Sequence, residues 1–120
     1  MIELIFADRC VSCNKCVEIC PTNVVEIVPE GIPRIARQGD CETCFMCELY
    51  CPHDAIYVGP DCEKPEPVDA QAILASGLLG EFRRNHGWDE WAGDPRYTNE
   101  HWQMENVFLR ARGAPKPAGA

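Results

Sequence analysis

The chain has 120 residues, 11 Lys/Arg against 19 Asp/Glu and a formal net charge of −8, which suits one small domain with an extension. The charge is uneven: residues 1–67 carry twelve Asp/Glu and five Lys/Arg, and residues 68–120 carry seven and six. An acidic surface of this kind repels nucleic acid and suits a basic patch on a partner protein. No segment has the apolar length of a membrane span. Met1-Ile-Glu-Leu-Ile-Phe-Ala-Asp8 lacks the basic start and long apolar stretch of a signal peptide. A reducing, cytoplasmic setting is therefore expected, where clustered cysteines hold metal rather than disulfides.

In chain order, a short apolar strand is expected at residues 3–6. Then Cys10-x2-Cys13-x2-Cys16-x3-Cys20-Pro21 opens a pattern that returns as Cys41-x2-Cys44-x2-Cys47-x3-Cys51-Pro52, a repeat of 31 residues. Asn23-Val-Val-Glu-Ile-Val and Asp54-Ala-Ile-Tyr-Val-Gly extend the match beyond the cysteines. Short helices are predicted at 15–20 and 46–51, each stopped by its proline. Strands rich in Val and Ile are predicted at 24–28, 34–36 and 55–58, with Pro29-Glu30-Gly31-Ile32-Pro33 as the turn between halves.

Composition changes after residue 60. Residues 61–68 read as a Pro-rich linker, and 69–120 as a C-terminal extension. Asp69 is a helix N-cap candidate ahead of Ala70, Ile73, Leu74, Gly77, Leu78 and Phe82, which share one helical face and predict a helix over 69–82 that Ser76 and Gly77 weaken. Trp88, Trp91, Tyr97, Trp102 and Phe108 follow among Gly, Pro and polar residues. Aromatics of this kind concentrate at interfaces, so the extension reads as an arm that docks on a partner. Thr98 is placed as the cap of a last short helix carrying Trp102, Val107 and Phe108, and residues 113–120 as a frayed tail.

The doubled cysteine run is iron–sulfur spacing. Three closely spaced cysteines wrap one compact core, and the loop turns backbone N–H groups toward the sulfurs. Four-cysteine zinc sites instead pair two Cys-x2-Cys knuckles across a long loop. The metal also supplies stability that a core of about 60 residues lacks. Cys62 lies outside both runs and reads as incidental. His53, His86 and His101 have no metal-ligand spacing and read as structural. No nucleophile with a base, phosphate loop or dinucleotide fingerprint is present, so the chain is not expected to catalyse by itself.

From Cys10 to Val58 the sequence resembles the bacterial two-[4Fe-4S] ferredoxins. The resemblance implies an α+β fold with pseudo-twofold (βαβ)2 symmetry over residues 1–60, two [4Fe-4S] clusters and one-electron transfer. It also implies crossed ligation: Cys10, Cys13, Cys16 and Cys51 on cluster I, and Cys41, Cys44, Cys47 and Cys20 on cluster II. Asp40-Cys-Glu-Thr-Cys-Phe-Met-Cys-Glu-Leu-Tyr-Cys-Pro-His-Asp-Ala-Ile is similar to the second cluster segment of the adenylylsulfate reductase β subunit. In that family a ferredoxin-like domain carries an extension that wraps a flavin-containing subunit of the fumarate reductase type. The expectation is thus an electron-transfer subunit of a larger oxidoreductase, with a free, soluble ferredoxin as the alternative.

Overall fold

Alternation along two strands sets the first sheet. In the computed structural model, β1 (Ile2–Ile5) pairs antiparallel with β4 (Ile56–Val58), with Ile2 opposite Val58, Leu4 opposite Tyr57 and Ile5 opposite Ile56. Period-two geometry sends Ile56 and Val58 to one face and Tyr57 to the other. The first face joins Ile2, Val24, Val25, Cys16 and Phe45 in a core between the cysteine loops. The second joins Phe6, Tyr57, Ile73 and Leu79. A register irregularity between Ile2 and Leu4 lets β1 serve both faces.

The structure describes residues 1–97 and, beyond them, Glu105, Phe108, Leu109, Arg112 and Gly113. Thr98, Trp102 and Val107, assigned above to the last short helix, lie outside the described residues, as does the chain after Gly113.

The architecture is small α+β. After β1 come α1 (Lys15–Ile19), β2 (Val25–Glu26), β3 (Arg34–Ile35), a 3-10 turn (Gln38–Asp40), α2 (Met46–Leu49) and β4. β2 pairs antiparallel with β3, Val25 opposite Ile35 and Glu26 opposite Arg34. The expected strands and helices are found, β1 displaced by one residue from residues 3–6 and the others shorter, while the 3-10 turn was not foreseen. α1 stops at Ile19 because Cys20, which precedes Pro21, is forced to an extended conformation (φ −66°, ψ 118°).

The extension is helical but broken. The expected helix over 69–82 is instead α3 (Ala70–Ser76) and α4 (Glu81–Asn85). Asp69 Oδ1 accepts from the Ala72 N–H at 2.9 Å, the predicted cap. Gly77 (φ 79°) and Gly80 (φ 77°) turn left-handed between the two helices, a conformation that costs other residues about 1–2 kcal/mol. Both helices lie on the cysteine domain. α3 covers Phe6 and Tyr57 through Ile73, and α4 packs on α2.

Candidate metal centre

The cysteine loops repeat in backbone as well as in sequence. Left-handed φ values occur at Ser12, Asn14 and Asn23, and again 31 residues on at Thr43, Phe45 and Asp54. These turns aim amide groups inward. The Ser12 N–H points at Cys10 Sγ and the Thr43 N–H at Cys41 Sγ, both at 3.4 Å. Ile2 N–H reaches Cys41 Sγ and Val24 N–H reaches Cys20 Sγ at the same distance. Donors so placed stabilise negative sulfur.

The eight repeated cysteines ring two hollows. One, about 350 Å³ including its mouth, is lined by Cys10, Cys13, Cys16 and Cys51 with Ile5, Pro33 and Ile56. The other, about 360 Å³, is lined by Cys20, Cys41, Cys44 and Cys47 with Ile2, Val25 and Val58. Each hollow thus takes three cysteines from one loop and the fourth from the other half. The lone thiol of Cys62 is exposed and lines neither hollow.

Electrostatics differ around the rings. Burial, then the charge of Cys51, pushes the Cys16 thiol up to about 11. Burial pushes Cys47 further in the same direction, with the Glu48 charge adding to it. Cys51 is also raised by burial, against the N–H groups of Ala55 and His53. At Cys20 burial acts upward, but the N–H groups of Val24, Thr22 and Asn23 and the Thr22 hydroxyl outweigh it and the thiol is lowered. Buried thiols of this kind need a cation to become thiolates, and bound metal deprotonates them outright.

Residues 9–55 match the family described as 4Fe-4S dicluster domain. The chain is 40% identical over 53 residues to a ferredoxin of Methanothermococcus thermolithotrophicus, covering 42% of this chain and 87% of that one. The chain belongs to the two-[4Fe-4S] ferredoxin family. It is also 41% identical over 49 residues to an uncharacterized ferredoxin of Methanocaldococcus jannaschii, covering 41% of this chain and 77% of that one. No solved structure matches it.

As a ferredoxin the chain carries two [4Fe-4S] clusters and acts in electron transfer. The residues present fit that load. All donors are thiols, each hollow has four, and their lining is otherwise largely apolar. Four thiols around each hollow match the four-cysteine ligation of a [4Fe-4S] cluster. No described helix is long and apolar enough to cross a membrane.

Of the histidines, His53 lines the first hollow. His86 holds Phe82 O through Nδ1 at 2.8 Å. The arm aromatics divide. Trp88 meets Tyr50 edge-on at 5.5 Å, Trp91 meets Tyr97 at 5.3 Å, and Phe108 lies against Phe45 at 5.4 Å.

The sequence reading did not single out Arg83. Its side chain is 2% exposed, with Nη1 donating to Leu49 O at 2.5 Å and the other nitrogens to Asp89 and Glu90. Beside it Glu48 is buried, which lifts its carboxyl to about 8 against the opposing Phe82 N–H. The signal for this contact was the repeat itself. Phe45 and Leu49 stand where the first half has Asn14 and Glu18.

Proposed function

We propose that the chain relays single electrons between partner proteins or subunits, with Cys10, Cys13, Cys16 and Cys51 holding one cluster and Cys20, Cys41, Cys44 and Cys47 the other. The observation that carries this reading is the pair of hollows, each ringed by four thiols drawn from both halves. Each bound cluster would supply one reversible one-electron change. The chain's own part is to hold the thiolates, point N–H groups at them and line the space with Ile, Val and Pro.

Crossed ligation makes a sharp prediction. In the reconstituted holoprotein, Cys20→Ser is expected to disturb the hyperfine-shifted β-CH2 resonances of Cys41, Cys44 and Cys47. Those of Cys10, Cys13 and Cys16, in its own loop, should stay in place. The opposite pattern would show that each loop closes its own site.

For the partner, the reading is an oxidoreductase subunit, with a flavoprotein of the fumarate reductase or adenylylsulfate reductase type as its class. Trp88, 37% exposed, supports a docking place. It borders an open cleft with Lys15, Tyr50 and Asp89, and residues 15 and 50 directly precede Cys16 and Cys51. The fold-back of α3 and α4 favours the second reading, a free carrier whose extension is occupied by its own domain. Native purification separates them. A stoichiometric flavoprotein companion supports the subunit, and a monomer with both clusters supports the free carrier.

A further inference from the structure

The two halves repeat at 31 residues but not in what covers them. The second loop has Phe45 and Met46 where the first has Asn14 and Lys15, and α2 has Leu49 where α1 has Glu18. Phe45 and Leu49 are 4% and 7% exposed, while Lys15 and Glu18 face water. Their cover is the extension. The Phe82 ring stacks on Phe45 at 4.9 Å and 16°, and Phe108 adds a tilted contact to the same ring. Next to Phe82, the buried Arg83 donates to Leu49 O at the end of α2. Asp89 and Glu90 hold its remaining nitrogens. Cys13 and Cys44 are both exposed, so the two mouths are alike. The difference lies at the flank.

We propose that α4 is a positioning element for the second cysteine loop. Phe82, fixed by Arg83, seats Phe45 and so holds the loop from Cys41 to Cys47 and keeps water from that side of its hollow. The first loop meets the Pro29–Pro33 turn, Ser12 Oγ donating to Gly31 O at 3.0 Å, and an open cleft beside Trp88, and among the described residues no ring of the extension stacks on it. Two sites with the same number of thiols thereby become unequal in environment. Solvent exposure is one of the levers that set a cluster's potential, so the two sites differ in potential and in how firmly they keep iron.

This inference rests on the two ligand sets proposed above, and the same spectra test them first. If the β-CH2 resonances of the oxidised holoprotein do not sort into those two sets, the ligand assignment fails, whatever Phe82 does. With the sets in place, Phe82→Ala is expected to raise the reduction potential of the site of Cys41, Cys44, Cys47 and Cys20, because water favours the more negative reduced form. The other potential should stay unchanged, and Phe82→Tyr should restore the first. A shift at the other site, an equal shift at both, or none overturns the proposal. A second measurement needs no variant. Under an iron chelator, resonances of Cys10, Cys13, Cys16 and Cys51 in the unaltered holoprotein should fade before those of the second set. Simultaneous or reversed loss overturns it.

Discussion

At the level of single residues, Gly80 shows how closely the extension approaches the cysteine domain. A Cβ built there would lie 2.3 Å from Asp54 Oδ1 and 2.4 Å from its Cγ, and the position is left-handed. Gly80→Ala meets both obstacles, the backbone one costing about 1–2 kcal/mol and overpacking about 1–3 kcal/mol. The expected outcome is a lower thermal midpoint with faster amide exchange in α4, while Gly39→Ala, with open space around its Cβ, changes little. The Asp69 cap was readable in the sequence because an acceptor ahead of an apolar period has one local use. Gly80 was not, because its constraint comes from Asp54, which is distant in sequence. Arg83 was hidden for the opposite reason. A charged residue on a short helix reads as a solvated face, and only the fold shows its guanidinium held by Leu49 O, Asp89 and Glu90.

Among the elements, the link between α4 and the 3-10 turn Asp89–Trp91 depends on ionisation. The Arg83 guanidinium, by hydrogen bonding first, holds the Glu90 carboxyl below the usual carboxylate range. A carboxyl whose folded value is depressed adds stability above its unfolded value of about 4.3, and that stability is lost as pH falls through the folded value. Protection of α4 amides from exchange should therefore drop as pH falls below about 4.3. In Glu90→Gln protection should be lower at neutral pH and change less over that range. Helix and strand positions along the chain were legible because cysteine spacing, prolines and Val/Ile runs act locally. The break at Gly77 and Gly80 was only half visible. Gly77 signals a weak helix, but the second left-handed residue and the turn back onto α2 follow from tertiary contacts.

In the whole molecule, the extension is part of the fold as far as it is described. Ending the chain at Val68 would remove Ile73 and Leu79 from Phe6 and Tyr57, and Phe82 and Phe108 from Phe45. The apolar area so uncovered is of the kind that drives association. Such a truncated protein is expected to take up iron but to run larger than a monomer on gel filtration, with its second site the less stable. The cofactor was the most legible part, since eight cysteines in a doubled run leave little freedom about what they hold. The identity of the covering surface was not, because tryptophans for a partner and tryptophans for one's own domain look alike in sequence. β1 and β2 belong to the first half, β3 and β4 to the second, and every pair crosses between halves. Neither half has a sheet of its own. Physically the cysteine domain is a complex of two partners, and the turn from Pro29 to Pro33 is the tether that sets their effective concentration. Lengthening that tether would weaken the fold only slowly, as the logarithm of loop size.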